Sequence, residues 1–250
     1  MLTKKNLDQI ELIEGMTTRE GLALMYLVIK NFSPLNGIGT SFEFGAYKGR
    51  TAALMLASEI SFLHVVESAD YLQEEKLNQF GVNYRWHKER SENFCKTLGE
   101  YIAPDSPLAI THHDASHFFD NVYQEIKGVL SCATKDTVLI LDDFNDSYSQ
   151  VRAAYYYLRY AEEMPFELAL IGFNKAVLVH QDRFTQVENY ILQKLLNDLE
   201  MMDVTAKLVR TDNNSKSRAF HVRLRQKHED QLYGLHFFGD RFYRSSLNRY

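Results

Sequence analysis

The sequence predicts an α/β fold: a doubly wound, mostly parallel seven-stranded sheet with helices on both faces. Three observations carry that prediction. Short apolar runs alternate five times with amphipathic helical stretches between residues 41 and 163, the pattern of β-α units joined by right-handed crossovers. The run Thr137-Val138-Leu139-Ile140-Leu141 is apolar throughout, as a central strand buried on both sides requires. A break at Gly172-Phe173-Asn174-Lys175 between two further apolar runs signals a hairpin, which makes the last strand antiparallel.

In chain order, residues 7–13 and 18–32 read as helices. In the second, Leu22, Met25, Tyr26 and Ile29 recur at three and four residues, and Thr17 or Thr18 can cap its start. Ser33-Pro34-Leu35-Asn36-Gly37 stops it. Strands are expected at 41–45, 62–67, 82–87, 108–113, 137–141, 166–171 and 176–180. Helices are expected at 50–60, 71–80, 91–101, 117–130 and 150–163. A long helix over 182–202 follows, then two strand-like runs at 205–210 and 219–225, and an aromatic-rich end at 232–243. This divides the chain into N-terminal helices (1–38), a sheet domain (39–182) and an α+β extension (183–250).

With 45% hydrophobic residues among 250, the chain can bury a full core, and no run of about 18 apolar residues is long enough to span a bilayer. The first residues lack the apolar stretch of a signal peptide. Cys95 and Cys132 are too few for a disulfide framework and lack metal-ligand spacing, so both are expected to be small buried hydrophobes in a cytoplasmic protein. The net charge of −5 is uneven: residues 205–250 hold ten Lys or Arg against four Asp or Glu. Such an end could meet a polyanion, but folding back on the acidic body or on a second subunit is the expectation, with a homodimer built on the extension. Its Tyr233, His236, Phe237, Phe238, Phe242 and Tyr243 suit an interface or a pocket roof. Nucleic acid is not an expected partner.

In doubly wound sheets, ligands bind beyond the carboxyl ends of the strands, over the first β-α turn. Gly45 and Gly49 fall there, where glycine admits close backbone approach. Their G-x-x-x-G spacing is neither the dinucleotide fingerprint nor a phosphate loop. Glu67 closes the second strand, where an acid can accept from both hydroxyls of a ribose. At the ends of the fourth and fifth strands stand Asp114 and the pair Asp142-Asp143. Neighbouring strands lie about 4.8 Å apart, so three carboxylates would converge beside the glycine loop. Their mutual repulsion suggests a hard divalent cation, Mg²⁺ before zinc.

The segment Ser41-Phe42-Glu43-Phe44-Gly45-Ala46-Tyr47-Lys48-Gly49-Arg50-Thr51 resembles motif I of class I S-adenosylmethionine-dependent methyltransferases, a Rossmann-like family. It is especially similar to the E-x-G-A-Y-x-G-x-S form of the catechol O-methyltransferases and their metal-dependent relatives. Asp114 to Val122 and Thr137 to Asn145 resemble the D-G-D-H-S-Y-E-x-V and V-I-V-L-D-D-Y-N stretches of the sugar and macrolide O-methyltransferase group, which includes cephalosporin-hydroxylase-like proteins. The resemblance covers roughly residues 41–180.

It implies S-adenosylmethionine as cofactor, with Glu43, Gly45, Ala46, Tyr47, Gly49, Thr51, Glu67, Ser91 and Asp114 around it. Gly45 and Thr51 would lie against its methionine part, Glu67 at the ribose and Ser91 at the adenine; a helix N-cap is the other reading of Ser91. By the same resemblance Asp114, Asp142 and Asp143 are ligands of Mg²⁺ or another divalent cation. Ser116 departs from the pattern, standing where sugar-modifying relatives carry an aspartate base. His117 falls where the catechol enzymes place a lysine base, and an imidazole is suited to taking a proton from a hydroxyl; a helix-start histidine is the alternative. The expectation is O-methylation of a small-molecule hydroxyl, such as one on a sugar or natural product, with His117 and Asp114 catalytic. Metal-independent N- or C-methylation and a catalytically silent binding protein are the alternatives.

Overall fold

The computed structural model describes residues 4–35, 38–146, 148–210 and 219–224. Two helices lead the chain, α1 (Lys4–Glu11) and α2 (Arg19–Asn31). Thr18 caps α2, its hydroxyl accepting from the Gly21 amide at 3.3 Å, and every residue from Gly21 to Ile29 is buried. Five parallel strands follow: β1 (Thr40–Phe44), β2 (Phe62–Val66), β3 (Tyr84–His87), β4 (Leu108–His113) and β5 (Val138–Leu141). Between and after them lie α3 (Arg50–Ala57), α4 (Glu74–Leu77), α5 (Ser91–Phe94), α6 (Phe119–Leu130) and α7 (Val151–Ala161). The hairpin β6 (Phe166–Gly172) and β7 (Lys175–His180) then places β7 antiparallel against β5.

The strands order as β3-β2-β1-β4-β5-β7-β6, and the sheet does not stop there. β8 (Ala206–Arg210) and β9 (Phe220–Leu224) continue it to nine strands, with β9 parallel to β6 from Leu170↔Phe220 to Gly172↔Val222. The C-terminal part up to residue 224 is therefore built into the domain. The buried positions of α8 (Phe184–Tyr190) and α9 (Leu196–Glu200), Val187 and Leu199, join the same apolar cluster as α2. The aromatic end expected at 232–243 lies outside the described residues.

Side chains alternate across the sheet with the strand period of two. Ile140 joins the cluster under α1, α2 and α3, whereas Leu139 and Leu141 join the one under α6 and α7. Three expected helices differ. Residues 71–80 hold only α4, and 91–101 split into α5 and a 3₁₀ turn at Leu98–Tyr101. The helix from 182 is interrupted by a π-helical segment, Ile191–Leu195, between α8 and α9. Cys95 is buried and Cys132 half-buried, and both are free thiols. Among the described residues, no helix is long and apolar enough to cross a membrane.

Candidate functional site

The order of the strands turns around between β1 and β4, and the carboxyl ends of β1, β2, β4 and β5 frame one edge of the sheet. Gly45 leaves β1 with φ +82°, and a Cβ there would sit 2.3 Å from the Asp114 carbonyl oxygen and 2.4 Å from Ala115 Cα. Glycine is thus what lets the first loop press on the loop after β4. Tyr47 also adopts a left-handed backbone, φ 49°. Its amide donates to Glu67 Oε2 at 2.9 Å, and the Ala69 amide donates to Oε1 at 2.8 Å. Glu67 therefore fastens the loop, and each carboxylate oxygen keeps a lone pair for a further donor. Gly49, φ +94°, starts α3.

Two cavities open on this edge. One, of about 350 Å³, is lined by Gly45, Tyr47, Glu67, Arg90, Ser91 and Asp114, among others. The other, of about 470 Å³, is lined by Gly45, Ala46, Tyr47, Thr51, Asp114, His117, Asp142, Asp143 and Lys175, with residues 14–18 as one wall. Gly45, Tyr47 and Asp114 border both, so the cavities meet at the end of β4.

Two expected residues border neither cavity. Glu43 is fully buried on β1, where it accepts a hydrogen bond from the Thr51 hydroxyl and faces His112 Nδ1 at 3.5 Å. Gly49 shapes the loop from behind. Ser91 is the first residue of α5 and does not cap it: its hydroxyl donates to Glu125 Oε1 at 2.5 Å, and Glu125 Oε2 lies 3.1 Å from His113 Nδ1. Glu125 was not singled out in the sequence, because an acid within an amphipathic helix reads as solvated, yet it is 1% exposed.

The three aspartates do converge, but each already faces a donor from this chain. Asp142 Oδ2 pairs with the Lys175 ammonium. Asp143, with φ 51°, accepts from Asn174 Nδ2 at 2.6 Å and lies 2.9 Å from His117 Nδ1. Asp114 Oδ1 lies 3.4 Å from His117 Nε2. His112, on β4 behind them, is fully buried between Glu43 and Asp142, with Nε2 3.7 Å from Asp142 Oδ2.

These neighbours set the ionisation. Asp114 and Asp143 flanking the ring raise the pKa of His117 to about 10. A ring charged at neutral pH has no free lone pair with which to accept a proton. Burial disfavours a charged His112, yet the carboxylates of Asp142 and Glu43 on either side lift it to about 9. Burial also opposes an ionised Asp142, but Lys175 and then His112 hold it well below the usual carboxylate range. Asp114 moves the other way, to about 7, because burial and then the Asp142 charge penalise its ionised form.

This donor set differs from the three oxygen ligands expected for Mg²⁺ at Asp114, Asp142 and Asp143. Among the described residues, the group whose ligand atoms all lie within 4.8 Å of one another is His112, Asp114 and Asp142, with Asp143 outside it. Magnesium demands a near-octahedral shell of oxygens. Here one ligand is a ring nitrogen held between two carboxylates, and a second is occupied by an ammonium.

Arg50 and Lys175, which line the larger cavity, were likewise not singled out in the sequence. Arg50 reaches from α3 to the loop between α1 and α2, donating to the carbonyls of Ile13 (2.6 Å), Thr17 (2.9 Å) and Glu11 (3.1 Å). Glu14 of that loop accepts from the Tyr47 hydroxyl at 2.9 Å and from Lys48.

No family model and no curated protein matches the sequence. Solved structures do match in shape. The O-methyltransferase NovP superposes with a TM-score of 0.52 at 14% identity, over 66% of this chain and 83% of that one. Cofactor-bound Rv0187 from MTB gives 0.52 at 14%, over 71% and 87%. CalS11, a TDP-rhamnose 3′-O-methyltransferase of calicheamicin biosynthesis, gives 0.50 at 12%, over 70% and 92%. The fold is that of class I methyltransferases. In that fold the paired cavities lie where its ligands are expected, beyond the carboxyl ends of the strands at the turn of strand order.

Proposed function

We propose that this chain is an S-adenosylmethionine-dependent methyltransferase acting on a hydroxyl of a small molecule, such as a sugar or natural product. The observation that carries the reading is the junction of the two cavities at Gly45, Tyr47 and Asp114, with Glu67 in one and the acid-histidine cluster in the other. The smaller cavity suits the nucleoside: Glu67 would accept from the ribose hydroxyls while its other lone pairs hold the loop, and the peptide around Ser91 would border the adenine. Thr51, Ala46 and Gly45 border the methionine end, and Glu43 supports them from behind. When bound, S-adenosylmethionine supplies an electrophilic methyl group on a sulfonium.

The acceptor occupies the larger cavity, with its hydroxyl at Asp114. Asp114 would accept the proton that the acceptor hydroxyl gives up on methylation. His117, already charged, stays protonated and steadies that carboxylate. Catalysis is then alignment plus placed charge. A cytoplasmic setting and a homo-oligomer built on the basic, aromatic C-terminal segment belong to the same reading, supported by the paucity of cysteines and by the uneven charge.

Transfer of a radiolabelled methyl group to a panel of sugars and phenols tests it. Asp114→Asn is expected to lower turnover by about 100-fold or more, the range of a general base, with S-adenosylhomocysteine affinity nearly unchanged. Equal losses of turnover and affinity would contradict the assignment of Asp114 to the proton.

A further inference from the structure

Lys175 sits where a lysine is rarely found. It is 1% exposed, although lysine is almost never fully buried unless paired. The hairpin delivers it there. Phe173 and Asn174 both take left-handed backbone (φ 51° and 70°), the type I′ geometry that matches strand twist. The turn is stitched to the acid loop by three hydrogen bonds: Phe144 amide to the Asn174 carbonyl (3.0 Å), Asn145 amide to Asn174 Oδ1 (3.2 Å), and Asn174 Nδ2 to Asp143 Oδ1 (2.6 Å). The next residue is Lys175, whose ammonium pairs with Asp142 and lies 3.4 Å from the Thr17 hydroxyl.

A divalent ion entering this cluster would have to detach Lys175 from Asp142 and leave an ammonium beside a dication. Because Lys175 and Asp142 are both buried, both steps cost more than they would at a surface. The other two aspartates face His117 and Asn174.

We propose that Lys175 stands in for the divalent ion: its ammonium is the resident cation of the acid cluster and positions Asp142 at the floor of the larger cavity, so that methyl transfer needs no added metal. The last clause rests on the proposed methyl transfer; the occupancy by Lys175 does not. Lys175 acts through Asp142 and is a positioning residue.

Titration of the full-length protein with Mn²⁺, followed by electron paramagnetic resonance, tests the occupancy without passing through the cofactor. The wild type is expected to show no saturable site up to about 1 mM, the weak end of the affinity scale. Lys175→Met keeps the stem and removes the charge; it is expected to bind Mn²⁺ at least about tenfold more tightly than wild type and to gain melting temperature with the ion. Adding Asp142→Asn is expected to abolish that gain.

Saturable Mn²⁺ binding to the wild type below about 1 mM, lost in Asp142→Asn, would overturn the inference. So would a folded Lys175→Met that gains no site. If that variant does not fold, the wild-type titration alone decides. A wild type that binds both S-adenosylhomocysteine and Mn²⁺ keeps the proposed function and loses this inference. One that binds neither loses the function and keeps Lys175 as resident cation.

Discussion

His117 bridges two carboxylates, Asp143 at 2.9 Å and Asp114 at 3.4 Å, and this makes its charge part of the folding energy. Its pKa rises from an ordinary 6.5 in the unfolded chain to about 10 in the folded one, because both acids favour the charged ring. A raised folded pKa adds stability that is fully present below pH 6.5 and lost as pH climbs through about 10. Stability measured by urea unfolding should therefore fall between these limits, and His117→Asn should flatten that part of the profile. An unchanged slope in the variant would show that the ring is not held as an imidazolium. The same residue explains what the sequence could and could not tell. Its place three residues after Asp114 marked it as a site residue, but its charge depends on Asp143, a neighbour only in three dimensions.

At the scale of elements, the loop between α1 and α2 is a wall of the larger cavity, clasped by one guanidinium. Arg50 satisfies three of its carbonyls, and hydrogen bonds to a charged donor contribute about 1.5–3 kcal/mol each. Arg50→Met should accelerate amide exchange across residues 12–18 while β4 and β5 keep their protection, as hydrogen–deuterium exchange would read. Equal protection in variant and wild type would mean that the clasp does not hold the wall. The sheet strands were legible because each is a compact apolar run. The short helices α4 and α5 were not, because turn residues and tertiary contacts decide how far such segments wind. The β6–β7 hairpin was legible as a turn, but its role was hidden: Lys175 and Asp142 are 33 residues apart, and a lysine after a turn ordinarily points to water.

At the scale of the whole molecule, the described residues form one nine-stranded sheet between two apolar layers, with both cavities on one edge. The order of β-α units made the doubly wound core readable. The pairing of β9 with β6 was not, since nothing in a strand's own residues names a partner some 50 positions away. The glycine loop was legible for the same reason that the fold was: Gly45 and Glu67 are local requirements at strand ends. The cluster beside it was half legible, with the acids visible and their partners scattered through the chain.

The central claim is that this edge binds S-adenosylmethionine, and a thermal shift with S-adenosylhomocysteine tests it most directly. At about 100 times its Kd, a ligand that binds only the native state adds about 2.7 kcal/mol. For a chain of this size each kcal/mol is worth about 2–4 °C, so the melting temperature should rise by roughly 5–10 °C. Glu67→Ala should remove most of that rise at the same ligand concentration. No rise in the wild type at millimolar S-adenosylhomocysteine, with or without Mg²⁺, would contradict the account.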